Sequence, residues 1–205
     1  GYEVTVYNSH THPYQQKEWN GVKIVHCFDA EKLLGTLGQF VYDFNCIRHA
    51  RKSNYDVILF LGYTSSSIWG KLFPKNAVTI SNMDGLEWKR SKYSTPVQNF
   101  LKHAERLAIK YSNFFIADSV VIQSYVADKY KVESEYIPYG AEKENNENEL
   151  VLKKYRLSNS GYYMLMARME PENNIEVILD GFHATKSESM FVVVGNYNNA
   201  YGKKM

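Results

Sequence analysis

Short apolar runs alternate with longer stretches whose apolar residues recur every three or four positions. This alternation narrows the fold more than any other feature of the chain. Glu3–Tyr7, Lys23–Phe28, Tyr55–Leu61, Ala77–Ser81, Phe114–Ala117 and Glu135–Pro138 read as strands, rich in β-branched and aromatic residues. Asp29 is placed to cap a helix carrying Leu33, Leu34, Leu37, Phe40, Val41 and Phe44, and Thr64–Phe73 reads as a short helix. The clearest helix opens at Thr95-Pro96, with Thr95 as N-cap, Pro96 in the first helical position and Gln98 completing a capping box. Val97, Phe100, Leu101, Ala104, Leu107, Ala108 and Tyr111 mark its apolar face, while Lys102, His103, Arg106 and Lys110 fall largely elsewhere. Asp118-Ser119 caps the next helix. The unbroken apolar run in Tyr55–Leu61 suits a parallel strand covered on both faces. Together these elements predict an α/β fold around a parallel sheet.

The composition shifts after Gly140, where a run of Glu, Lys and Asn keeps no apolar period. Residues 141–160 read as a linker that includes a short helix at Glu149–Tyr155. A second β-α-β unit follows: Tyr162–Ala167, a helix from Asn174 to Ala184, and Met190–Val194. The expected division is therefore a domain at 1–140 and the start of another at 161–205. The chain opens in a strand without a methionine and stops soon after another, so a piece of a longer protein is expected.

Charge and cysteine content exclude several classes. The 24 basic residues nearly balance 22 acidic ones, which argues against a dedicated nucleic-acid binder. No apolar run approaches the roughly 20 residues of a membrane span. Cys27 and Cys46 form no C-x-x-C motif and read as free buried thiols of a cytoplasmic protein. His10 and His12 lack the third and fourth ligands of a zinc site and read as loop histidines, so no metal is expected. Phosphate-loop, dinucleotide and hydrolase-elbow motifs are all missing.

Two loops carry more information. Met83-Asp84-Gly85-Leu86-Glu87-Trp88-Lys89-Arg90 follows a strand directly, at the edge where parallel α/β sheets bind ligands. The competing reading is a polar loop in which Asp84 caps a turn and Trp88 packs on the sheet. Arg168-Met169-Glu170-Pro171-Glu172-Asn173-Asn174 lies between a strand and a helix, where Arg168 is placed to grip a phosphate at the helix N-terminus. The alternative there pairs Arg168 with Glu170 or Glu172.

Taken in order, several segments resemble the family-4 retaining glycosyltransferases, most closely the rhamnosyltransferase-like subgroup of bacterial polysaccharide synthesis. They are Gly1–Tyr7, Tyr55–Ile58, Asp84–Arg90 with Lys92, Ala117-Asp118-Ser119, Ile137–Ala141, Arg168–Ile175 and Val193–Asn196. The resemblance implies a GT-B architecture of two Rossmann-like domains, the first taking the acceptor and the second a nucleoside-diphosphate sugar. On that pattern the first domain lacks its opening strand here and the second is cut short, so activity is expected of the full-length protein rather than of this piece. The implied reaction moves a sugar, rhamnose being one candidate, with retention to a glycan or lipid-linked glycan, and needs no metal or cofactor. Arg168 would bind phosphate with support from Asn173, and Gly195 would let the donor approach the backbone. Asp84 would position the sugar, with Glu87 and Arg90 shaping the cleft. Two positions depart from the family pattern: Asp84 replaces a histidine and Asn173 a lysine, so Arg168 would carry more of the diphosphate charge. The alternatives are a GT-B nucleotide-sugar epimerase and a non-catalytic sugar-nucleotide-binding or scaffolding protein. The basic helix face around Lys102 and Arg106 offers contact with the inner membrane surface, set against an ordinary solvated face.

Overall fold

The computed structural model describes residues 1–90, 93–143, 149–157 and 161–205. Lys92 and parts of the expected linker lie outside these residues. The chain divides into two units, Gly1–Gly140 and Ala141–Met205. Both have an α/β, Rossmann-like arrangement of parallel strands and helices.

In the first unit, β1 (Thr5–Ser9) and β3 (Val22–Cys27) run parallel, and the two-residue β2 (Glu18–Trp19) closes antiparallel onto β3. A separate, all-parallel sheet places β4 (Val57–Phe60), β5 (Val78–Asn82), β6 (Phe114–Ala117) and β7 (Glu135–Tyr136) side by side in chain order. Helices α3 (Thr95–Tyr111) and α4 (Val120–Tyr130) supply Ala104, Ala108, Ile122 and Val126 to a core shared with Tyr63, Met83 and Phe115. Burial of these side chains supplies the main driving force for this layer.

The helix expected from Asp29 to Phe44 is broken. It becomes α1 (Glu31–Leu34), a 3-10 turn over Gly35–Leu37 and α2 (Gly38–Ala50). Gly35 turns the chain at φ +57, and a Cβ on Gly38 would meet the Glu31 nitrogen at 2.2 Å. Leu33, Leu34 and Leu37 consequently stay exposed instead of joining a continuous stripe. Asp29 still accepts the Glu31 N–H at 2.7 Å. The long helix α3 is capped at Ser94, one residue before the position expected, and Gln98 donates to the Tyr93 carbonyl at 3.1 Å in place of a capping box. Ser119 caps α4 as the sequence predicts, accepting the Ile122 N–H at 3.3 Å.

Strand β4 differs from expectation in its surroundings. It pairs with β5 alone, and β1 pairs with β3 alone. A cavity of about 1270 Å³ lies between their free edges, lined by Val4, Val6, Val57 and Leu59 among others. Val57 and Leu59 therefore remain 53% and 49% exposed, and the strand is not covered on both faces. Across this seam the Tyr7 hydroxyl donates to that of Tyr55 at 3.3 Å. Cys27, buried, and Cys46, half-buried, are both free thiols, and burial pushes both up.

Asp43 of α2 also lines the cavity and accepts the Ser65 hydroxyl at 2.5 Å. Burial pushes its carboxyl up to about 6, against the lowering effect of Ser65. A carboxyl raised on folding contributes stability that is full below about pH 4 and is lost as pH rises through the folded value. Asp43→Asn is therefore expected to raise the melting temperature near neutral pH and not at about pH 4, as thermal denaturation at the two pH values will show.

In the second unit, α5 (Glu149–Lys154) precedes β8 (Tyr162–Met166), which pairs in parallel with β9 (Met190–Val194). Helix α6 (Ile175–Ala184) makes the crossover and buries Ile175 completely. A further helix, α7 (Ala200–Lys204), follows β9, started by Asn199 accepting the Gly202 N–H at 2.7 Å. It is absent from the sequence reading because five residues hold too little apolar periodicity to register.

Candidate functional site

At the carboxyl end of β5 the chain turns through Gly85 at φ +61 and makes a 3-10 turn over Glu87–Lys89. Asp84 is exposed, while Glu87, Trp88 and Arg90 are half-buried. Arg90 Nη2 lies 2.6 Å from Glu87 Oε1, so these two predicted site residues pair with each other, while Asp84 is exposed. The Asp84 carboxyl is pushed up first by burial of part of its surface and then by Asp118, while Arg90 acts in the opposite sense. Asp118 directly follows β6, and Tyr139 follows β7 and takes a hydrogen bond from Asn82 Nδ2 at 3.3 Å. Asn82, Asp84, Asp118 and Tyr139 thus gather where three adjacent parallel strands end. Such an edge offers carboxylate and amide groups to the hydroxyls of a polar ligand.

The second unit presents a comparable edge. Arg168 lies just past β8 and Gly195 just past β9, so the two flank the ends of paired strands. Asn173 Nδ2 donates to the Arg168 carbonyl at 2.7 Å, and the Glu170 N–H reaches the same oxygen at 2.8 Å. Arg168, Asn173 and Gly195 are brought together as the sequence predicts, but Asn173 acts by closing the loop beneath Arg168. The Arg168 side chain is exposed and enters no ion pair among the described residues. Asn174 enters α6 at φ 51, and its side chain does not cap the helix. At Gly195 a Cβ would meet the Ala167 carbonyl oxygen at 2.2 Å, so the absence of a side chain lets the ends of β8 and β9 approach closely.

The sequence profile of one family, the Domain of unknown function DUF1972, matches residues 2–142. The chain belongs to the DUF1972 family. No curated protein matches it. The DUF1972 match takes in the first unit and its Asp84–Arg90 loop, whereas Arg168, Asn173 and Gly195 lie beyond it.

Inside the DUF1972 domain, Glu105 belongs to none of the sequence motifs. This residue of α3 is 1% exposed. Its Oε2 accepts the Trp88 Nε1–H at 3.0 Å, and its Oε1 accepts Tyr125 and Lys129 at 2.8 Å each and Tyr130 at closer range. Burial works against its ionisation, but the hydrogen bonds from Lys129, Tyr130 and Tyr125 outweigh it and hold the carboxyl below the ordinary range. The available signal was its place in the stripe Leu101, Ala104, Glu105, Ala108, where an acid must find partners. Asp118, which the sequence offers as part of a cap and of the family resemblance, follows β6 as Asp84 follows β5.

The histidines serve their loops: His10 Nδ1 accepts the Asp29 N–H at 3.0 Å and His12 Nδ1 that of Tyr14 at 3.1 Å. Among the described residues no three His, Cys, Asp or Glu side chains group as metal ligands, and no helix is long and apolar enough to cross a membrane. On the basic face of α3, His103, Arg106 and Lys110 are exposed, but Lys102 lies 4.9 Å from the Trp88 ring.

Proposed function

We propose that the full-length protein is a retaining glycosyltransferase of the GT-B, family-4 type, rhamnosyltransferase-like, which moves a sugar from a nucleoside diphosphate to a glycan or lipid-linked glycan. The observation that carries this reading is Arg168. Its side chain is exposed and enters no ion pair among the described residues, and the residue lies between β8 and α6, whose N-cap Asn174 makes no side-chain cap. A planar cation near a helix N-terminus is suited to a diphosphate, whose negative charge grows as the glycosidic bond breaks. The occurrence of the DUF1972 domain in glycosyltransferase-associated proteins supports the same reading.

On this reading Arg168 neutralises the departing diphosphate, and Asn173 holds the loop that presents it. In the first unit, Asp84 accepts a hydrogen bond from a sugar or acceptor hydroxyl, with Asp118 beside it. Glu87 and Arg90 act through their mutual pairing, by shaping the loop. Retention requires the incoming hydroxyl to be held on the face the diphosphate leaves, which is a task of positioning more than of acid–base chemistry. The exposed His103, Arg106 and Lys110 give α3 a basic surface suited to an anionic lipid headgroup region on the cytoplasmic side.

Arg168→Ala in the full-length protein is expected to lower transfer by about 10²-fold while leaving the melting temperature unchanged. Nuclear magnetic resonance of the product reports the anomeric configuration. Unchanged turnover overturns the role of Arg168. Donor binding without transfer by the wild-type protein favours a non-catalytic sugar-nucleotide binder.

A further inference from the structure

The side chain that organises the loop after β5 is not on that loop. Glu105 is buried on α3, 17 positions from Trp88 in the sequence, yet it takes the only polar hydrogen of the indole at 3.0 Å. The Tyr63 hydroxyl donates toward both Glu105 Oε2, at 3.5 Å, and the Gly85 carbonyl, at 3.4 Å. The loop is therefore tied to this carboxylate through Trp88, while the single Tyr63 hydroxyl hydrogen is shared at long range between Glu105 and the Gly85 carbonyl. Lys129 binds the other carboxylate oxygen and also lies over the Trp88 ring at 5.4 Å, while Lys102 lies over the same ring at 4.9 Å. Tyr125 and Tyr130 complete the shell.

We propose that Glu105 is the positioning residue of the Asp84–Arg90 loop: by fixing the Trp88 indole and the Tyr63 hydroxyl, it sets where the loop presents Asp84. Three observations make this more than core packing. The carboxylate spends one oxygen on the α4 side, with Lys129, Tyr125 and Tyr130, and the other on the loop side, with Trp88 and Tyr63. Glu87 and Arg90 pair with each other and supply no anchor to the rest of the unit through that bridge. Beyond Gly85, at φ +61, Leu86 packs against the core, and the Trp88 N–H adds a directional side-chain hydrogen bond from the loop to α3. A carboxylate oxygen accepting an indole N–H in a dry site supplies a restraint, because a buried polar group left without its partner is costly.

The assignment of a catalytic consequence rests on the glycosyltransferase reading; the restraint itself does not. The test therefore has two arms on the full-length protein, comparing wild type with Trp88→Phe and Glu105→Gln. Trp88→Phe keeps an aromatic ring and deletes the N–H, and it leaves the Glu105 pairing with Lys129 in place. In the first arm, amide hydrogen exchange at residues 85–90 is expected to quicken about tenfold or more in both variants, with β8 and β9 at wild-type rates. In the second arm, kcat for sugar transfer is expected to fall while KM for the donor holds, since Arg168 is untouched. Unchanged exchange at 85–90 in folded Trp88→Phe overturns the proposal. Quickened exchange in a protein without transferase activity upholds the restraint and removes the glycosyltransferase reading instead. Should Glu105→Gln fail to fold, Trp88→Phe alone decides.

Discussion

Alanine at Gly195 is expected to destabilise the second unit by about 1–3 kcal/mol and to weaken nucleoside-diphosphate binding more than tenfold. The added methyl would lie 2.2 Å from the Ala167 carbonyl oxygen and 3.0 Å from Met169 Cε. The methionine tip can move, but the carbonyl belongs to the backbone that turns out of β8. It also sits beside the Ala167 N–H, which bonds the Val194 carbonyl at 3.0 Å across the β8–β9 pair. Relief of the clash has to come from shifting that backbone, and Arg168 is the next residue along it. Stability and phosphate binding are therefore predicted to fall together. Thermal denaturation read alongside titration with a nucleoside diphosphate checks this, and a wild-type melting temperature would show that the strand ends are not packed this tightly.

Glu105→Ala is the other large effect. Deleting a buried carboxylate strands Lys129, two tyrosine hydroxyls and the Trp88 N–H together. Breaking a buried ion pair typically costs about 3–5 kcal/mol, but the Lys129 side chain is 34% exposed and regains water, so a loss of about 2–4 kcal/mol is expected. The pH dependence has a definite sign. The Glu105 carboxyl lies below its ordinary range in the folded protein, so its contribution is present above the unfolded value, near 4.3, and is lost as pH falls through the folded one. Urea denaturation should show the largest gap between wild type and variant near neutral pH and a shrinking gap in acid. A gap independent of pH would mean that the network stabilises by packing rather than by charge.

Strands were the most legible elements. Phe114–Ala117 and Met190–Val194 have the bounds that their β-branched and aromatic residues suggest. Helix α2 shows where periodicity misleads. The apolar spacing from Leu33 to Phe44 is helical, but it counts side chains only, and Gly38 must sit against the backbone of Ala30 and Glu31. The N-cap of α3 falls one residue earlier than expected because Ser94 and Thr95 have the same chemistry, and the extended backbone of Ser94, whose carbonyl takes the Gln98 N–H at 2.9 Å, sets the helix start. The run Val57–Leu61 announces an apolar strand but cannot say what covers it, since that depends on residues far away in the chain. The same holds at the site. The placement of Arg168 and Gly195 past strand ends was legible because it is local to β8 and β9. Glu105 was not, because its meaning comes from Trp88, Tyr63 and Lys129 on three other segments.

The seam between β1 and β4 has a consequence for handling this polypeptide. Each bordering strand leaves one side of its amide ladder unsatisfied, and such an edge templates any extended chain that reaches it. Valine and leucine side chains beside the ladders add a dry surface for the newcomer. Pairing at such a seam is made by backbone groups, so it is indifferent to surface charge elsewhere. A proline on the free side of β1 would oppose it, because it withholds the amide on which an incoming strand would register.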